Sequence, residues 1–426
     1  MNPKRIAYLE SLDPSARRFP NALRIGDTIF VSSEPLGPSI RSGSTDIQDQ
    51  THEAFSAFVE LLARVDARMA DLVKLHTFFV FDGEAGATAY WERMTQVRLQ
   101  YFANPGPAGT ALRVKGAPTR GRLIAIDGLA SVSSARQRIM PAHAWDWSIP
   151  TPFSQGWRIG PVLYAGGQIS ADRQGRTVAH DDLTQQAINT MEFLRHVLKD
   201  GAASFDDVVS LKIAYQHRGD DLATRAVLEE ILRVVRPLIP AGQCTLTCLG
   251  VDLLYEGLKL EIDATAVLGD GAKRVHARSD GASCPVAGFA TACRVDDLIY
   301  VGAVGAPEEG SLDGQLQRSL QRMQSSLHEV ASSMDDVAKL NVLFATTDAG
   351  EDADYRTLQA LLVQQLPTPG PVVTIVRVAG LPRNGQRVQV DAIAVRPSRY
   401  RQKMDSGPRV SHESLDVHQR SSPRVR

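Results

Sequence analysis

RIGDTIFVSS, residues Arg24–Ser33, is the first of three near-copies: RIGPVLYAGG stands at Arg158–Gly167 and RVDDLIYVGA at Arg294–Ala303. Each is followed by a second shared block: MADLVKLHTFF (Met69–Phe79), FDDVVSLKIAY (Phe205–Tyr215) and MDDVAKLNVLF (Met334–Phe344). A third block closes each unit: LIAIDGLASV (Leu123–Val132), LEIDATAV (Leu260–Val267) and VQVDAIAV (Val388–Val395). Three markers in one order, at a period of roughly 135 residues, mean three fused copies of one small domain, far longer than a solenoid repeat. The boundaries fall at 1–132, 151–268 and 284–396, with linkers at 133–150 and 269–283 and a tail over 397–426.

Each copy opens on a hairpin, Asn21–Ile25 and Thr28–Ser33 in the first, turning at Gly26-Asp27. An amphipathic helix follows, with Ala54, Phe55, Phe58, Leu61 and Leu62 on one face of Asp46–Val65. Its counterparts are Asp182–Leu198 and Leu312–Val330. A strand and a second helix come next (Ala87–Phe102, Leu222–Val235, Asp354–Leu366), stopped by the proline-rich turns NPGPAG, RPLIPAG and LPTPGP. Two final strands complete a ββαβαββ order, an α+β fold with helices on one face of a sheet.

The net charge of -1 gives no basic face for nucleic acid. No apolar run reaches membrane-spanning length, and MNPKRIAYLESLDPS lacks the apolar core of a secretory signal. Four cysteines, Cys244, Cys248, Cys284 and Cys293, make no disulfide framework and point to a reducing cytoplasm. Cys244 and Cys248 on one strand stand ~13 Å apart, too far to share a tetrahedral zinc, and read as buried small hydrophobes. Metal-protease, P-loop, G-x-S-x-G and dinucleotide motifs are missing, so no cofactor and no metal are expected. The Arg-, Ser- and Pro-rich tail reads as disordered.

The hairpin block, the D-D-V-V-K-like strand, the PGPA turns (Pro105–Val114, Pro369–Val378) and the I-D-A-like last strand resemble the Rid/YjgF family of enamine and imine deaminases. The resemblance implies three Rid-like, chorismate-mutase-like domains forming a single-chain pseudo-trimer around a central β-barrel. It also implies ligand clefts between neighbouring domains, and a monomer with internal pseudo-threefold symmetry. The reaction implied is hydrolysis of an imine to a carbonyl and ammonia. A family arginine after the Pro-Ala turn grips the substrate carboxylate, a glutamate on the last strand positions water, and an aromatic near the N-terminus completes the cleft. That arginine aligns with Gly109, with Gln243 (or Gly242 in the other register), and with Val373; the glutamate with Ala125, Glu261 and Gln389; the aromatic with Phe19, Phe153 and Phe289. The strand arginine is thus missing from all copies, and the glutamate survives once.

Glu261 is the leading catalytic candidate, because burial raises a carboxyl pKa and makes it a usable base for water. Gln243 and Thr245 are expected to bind substrate beside it. Arg113 and Arg377, farther along the strand that lost the arginine, are candidate anion grips or members of interdomain salt bridges. His76, Lys212 and Asn341 share one position on the middle strand. His76 is a candidate general base or a satisfied core histidine. Lys212 is either an anion-binding cation or the ion-pair partner of Glu261. Asp127, Asp263 and Asp391 recur in all copies and serve the shared frame. The expected function is a diverged hydrolase acting on a small anionic metabolite. The alternatives are a hydrolase or lyase acting on a chorismate-like acid, or a binding protein without turnover.

Overall fold

A computed structural model of the chain describes residues 4–9, 18–34, 43–83, 86–117, 121–217, 219, 221–269, 274–277 and 286–396. Cys284 and the 397–426 tail lie outside the described residues. Three six-stranded sheets and six long helices repeat one plan. In the first copy β1 (Arg5–Ala7), β2 (Ala22–Ile25) and β3 (Thr28–Ser32) lead to α1 (Ile47–Arg64), β4 (Leu72–Val80), α2 (Ala87–Tyr101), β5 (Ala108–Val114) and β6 (Ile124–Ser131). The spatial order is β1-β2-β3-β6-β4-β5, with β5 parallel to β4 and at the sheet edge. The second copy runs through β7 (Arg136–Ile139), β8 (Gly156–Ile159), β9 (Val162–Ala165), α3 (Leu183–Asp200), β10 (Val208–Gln216), α4 (Asp221–Val235), β11 (Thr245–Val251) and β12 (Leu260–Val267). The third runs through β13 (Arg274–Ala277), β14 (Ala292–Val295), β15 (Leu298–Gly305), α5 (Leu312–Glu329), β16 (Val337–Phe344), α6 (Glu351–Gln365), β17 (Val372–Arg377) and β18 (Val388–Val395).

The local reasons repeat. The Asp46 carboxylate caps α1 by accepting from the Gln48 and Asp49 amides, and Asp182 and Ser311 cap α3 and α5. The hairpin turn needs a left-handed residue, supplied by Gly26 (φ 60°) and Gly160 (φ 56°), and by Asp296 (φ 52°) in the third copy. Before each middle strand an aspartate carboxylate (Asp71, Asp207, Asp336) accepts from a backbone amide three residues earlier and fixes a short turn.

Two features differ from the sequence reading. The segments read as linkers are not only linkers: Arg136–Ile139 and Arg274–Ala277 pair with β8 and β14 as edge strands, and Arg5–Ala7 does the same with β2. The sheets also stay three separate sheets. Isolated bridges join them, including Ala108 to Ser154, Thr245 to Ala290, Arg113 to Asp252, Gly250 to Gly380 and Gly116 to Arg377.

Phe153 of the second copy packs in the core of the first, Phe289 of the third in that of the second, and Phe19 of the first in that of the third. The three copies are thereby interlocked in a cycle. Around the centre the same cycle appears in charge. Asp263 pairs with Lys74 at 3.2 Å, Asp391 with Lys212 at 3.8 Å and Asp127 with Lys339 at 3.2 Å, each aspartate meeting a lysine of another copy.

Candidate functional site: the cleft between the first and second repeats

The recurring polar positions of the middle strands line a central cavity of about 80 Å³, enough for a few waters. His76 sits there with Nδ1 2.9 Å from Asp127 and Nε2 3.0 Å from Asp263. Both ring nitrogens face carboxylates, so none is left to take a proton from water. Lys212 pairs with Asp391, not with Glu261. Burial pushes the Asp127 and Asp263 carboxyls up, but neighbouring Lys339, Lys74 and His76 outweigh it and hold both well below the usual range. This is a closed ion network that ties the repeats together.

The other candidates separate. Arg113 donates to the Phe81 and Gly83 carbonyls at 2.7 Å each and lies 3.8 Å from Asp252. Arg377 is held by Glu351 at 2.9 Å and by Asp348. Neither guanidinium is free to grip a ligand. Gln243 is exposed on the turn before β11, and the buried Thr245 hydroxyl donates to the Val209 carbonyl at 3.1 Å. Both belong to the face toward the third repeat, away from Glu261. The strand register also corrects the alignment. Leu75, Leu211 and Leu340 stand opposite Gly109, Leu246 and Val373, so the position of the missing arginine is Leu246 in the second copy, not Gln243. Cys244, Cys248 and Cys293 are buried and form no disulfide among the described residues, and burial pushes the Cys244 thiol up.

Glu261 lies on β12 where the second repeat meets β5 of the first. The Gly167 amide donates to the Gly109 carbonyl at 2.9 Å, and the Ser154 amide to the Pro107 carbonyl at 3.2 Å. These bonds bring the two glycines together. Glu261 occupies the space left by the missing side chain of Gly167, where a Cβ would stand 1.7 Å from its Oε1. The Ala111 amide donates to its carboxyl. Burial, and then the Asp263 charge, push that carboxyl up to about 8, against the pull of Lys74. Glu261 is therefore largely protonated at neutral pH.

The other two interfaces lack this group. In the second–third interface Gln389 donates to the Cys248 carbonyl at 2.7 Å, a fixed cross-link. In the third–first interface the equivalent residue is Ala125.

Sequence reading missed one buried cation here. Arg98 on α2 lies over Gly109, where a Cβ would be 3.5 Å from its Nη1 and 4.0 Å from the Trp147 ring. Its Nη2 donates to the Pro152 carbonyl at 3.1 Å. Burial lowers its pKa to about 10, leaving it charged at neutral pH. Trp145 and Trp147, from the segment joining the first two repeats, and Phe153 of the second pack with Trp91 and Tyr255 at the same place. The available signal was a charged residue at a core-facing helix position, in step with Trp91 and Met94.

Among the described residues, no three His, Cys, Asp or Glu side chains are grouped to hold a metal, and no helix is long and apolar enough to cross a membrane.

The sequence profile of the family described as Endoribonuclease L-PSP matches residues 10–132 and 148–268. A RutC family protein of Saccharolobus solfataricus is 36% identical over 58 residues, which span 14% of this chain and 46% of that protein, less than half its length. A 2-iminobutanoate/2-iminopropanoate deaminase of Dermatophagoides farinae is 24% identical over 126 residues, 29% of this chain and 93% of that protein. Among solved structures, a chorismatase aligns with a TM-score of 0.45 at 18% identity, covering 58% of this chain and 76% of that one. With a profile match to more than half of its length, carried by two of three tandem domains of one plan, this chain is a member of the Endoribonuclease L-PSP (Rid/YjgF) family.

Proposed function

We propose that the chain is a hydrolytic deaminase that acts on a small anionic imine or enamine at the interface of its first and second repeats. The observation that carries this reading is Glu261: a buried carboxyl, pushed to about 8, at the interface of the first and second repeats beside the hydrogen-bonded pair Gly167 and Gly109. A carboxyl with this pKa can run both proton transfers near neutrality. Glu261 gives its proton to the imine nitrogen. Its carboxylate then accepts a proton from water as the oxygen attacks the carbon. Returning that proton to the amine nitrogen releases ammonia as the carbonyl forms, and the hydroxyl proton passes to the Glu261 carboxylate, which regenerates the acid. The deaminase relatives act on substrates of this class by name. The net charge of -1 and the aromatic lining of the cleft fit a small metabolite better than an RNA backbone.

The test is loss of enzymatically generated 2-iminopropanoate above the spontaneous rate, for the wild type and for Glu261→Gln. Acceleration by the wild type alone is the expected result, falling as pH rises through about 8, where the proton donor is lost. Equal rates in both proteins reject the role of Glu261. No acceleration by either rejects the deaminase reading and leaves ligand binding without turnover, which the missing strand arginine in Gly109, Leu246 and Val373 favours.

A further inference from the structure

The first–second cleft holds an unpaired buried charge that the fold does not require. Arg98 is the twelfth residue of α2; counting from the helix starts, the twelfth residues of α4 and α6 are Leu232 and Leu362, both fully buried in their cores. Two copies of the same frame fold with an apolar side chain at this position. The first copy instead buries a guanidinium that is 8% exposed. Among the described residues no carboxylate forms an ion pair with it, and its Nε has no hydrogen-bond partner. A buried ion without a counter-ion costs several kcal/mol. Two more donors in the same cluster, the indole nitrogens of Trp145 and Trp147, are also buried without acceptors. The chain supplies this cation with one carbonyl, that of Pro152, and the face of the Phe102 ring, but with no carboxylate among the described residues; a guanidinium with a spare Nε beside two unpartnered indole donors is complementary to an anion that is not part of the chain.

The place of this cation matters as much as its isolation. Its guanidinium covers the α-carbon of Gly109, so a side chain longer than alanine at 109 would displace it. Across the same strand, the amide of Ala111 holds Glu261.

We propose that Arg98 is the carboxylate-binding residue of the first–second cleft: a guanidinium delivered from helix α2 to the space above Gly109, assisted by the indole N–H groups of Trp145 and Trp147. The ligand class is a small planar monocarboxylate, whose carboxylate pairs with the guanidinium while Glu261 reaches the reacting atoms. The role of Glu261 rests on the function proposed above; the binding role of Arg98 does not.

The experiment uses the full chain and two commercial probes, pyruvate and its neutral amide, pyruvamide, titrated by calorimetry into the wild type, Arg98→Leu and Arg98→Lys. The expected result is that the wild type binds pyruvate and discriminates against pyruvamide. Arg98→Leu binds pyruvate roughly ten- to a hundredfold more weakly and discriminates no longer. Arg98→Lys keeps part of the preference. Because leucine is the residue at the two equivalent positions, Arg98→Leu folds and melts no lower than the wild type. A purely structural arginine gives the opposite pattern: a lowered melting temperature with pyruvate binding unchanged. That pattern, or a wild type that does not bind pyruvate, overturns the proposal. Outcomes for the two readings separate. Arg98-dependent pyruvate binding without imine turnover leaves this inference standing and removes the deaminase. Turnover that survives Arg98→Leu with an unchanged KM does the reverse.

Discussion

Replacing Glu261 with glutamine keeps the shape of the cleft and removes its titration. The folded carboxyl has a pKa of about 8 against 4.5 when exposed, so the folded state holds its proton through the intervening range while the unfolded state loses it. Stability then falls as pH rises, because the native state binds more protons than the unfolded one. The contribution of the protonated carboxyl is fully present below about 4.5 and is lost as pH rises through about 8. Integrated from pH 5 to pH 7.5, the wild type loses about 3 kcal/mol relative to Glu261→Gln, as each pKa unit is worth about 1.4 kcal/mol. Urea unfolding of both proteins at several pH values measures the difference. The interlocked phenylalanines make a shared transition of all three repeats the expected behaviour. Stability curves that run parallel between pH 5 and 7.5 would refute the reasoning. They would mean that Glu261 is already ionised in the fold and cannot donate a proton to an imine nitrogen.

Gly167→Ala places a Cβ 1.7 Å from Glu261 Oε1, so the carboxyl must leave its bond to Ala111. Imine turnover is expected to drop on the order of a hundredfold, with circular dichroism unchanged. Lys74→Met leaves Asp263 with His76 and the Thr110 hydroxyl as its close partners and is expected to cost about 3–5 kcal/mol in denaturant unfolding. Adding Asp263→Asn should recover part of that loss, whereas an additive double variant would show that the two charges do not interact. Phe153→Ala empties a site in the core of the neighbouring repeat and is expected to cost about 3–5 kcal/mol by the same measurement. A much smaller loss would mean that the repeats are not interlocked there.

Strong periodicity made much of the frame legible. The helix α1 face of Ala54, Phe55, Phe58, Leu61 and Leu62 is buried as its spacing implied. The edge strands were not legible, because RIA, RQRI and RVHA are short and rich in arginine, and only pairing with β2, β8 and β14 makes them strands. The register of β11 misled for a different reason. In TLTCLGV, Thr245 and Thr247 alternate with Leu246 and Cys248, and this alternation places Leu246 toward the helices, where it lies. Expecting the arginine position to face away from the helices then selected Gln243. In the structure Gly109 faces α2, where Arg98 lies over it, and the equivalent Leu246 faces the helical core as well. Arg98 itself escaped notice because an arginine in an amphipathic helix reads as surface; its meaning appears only against the leucines of the other two copies.

The asymmetry of the three interfaces has an energetic logic that a symmetric trimer could not use. In a trimer of identical subunits, a buried unpaired guanidinium would be present three times, and each would cost several kcal/mol. Fusion confines that cost to one interface. It also lets the two groups proposed above come from different copies, Arg98 from the first beside Gly109 and Glu261 from the second beside Ala111. The remaining interfaces are then free to become joints. Gln389 bonds to the Cys248 carbonyl in one, and the Ser32 and Thr374 hydroxyls meet at 3.2 Å in the other. Neutral cross-links of this kind add stability without a desolvated charge, and so they offset the strain of holding one charged cleft ready for an anion. On this account the missing strand arginines are not a record of decay in the first–second cleft. With Gly109 bare, the guanidinium can arrive from the helix, and a side chain longer than alanine there would close its place.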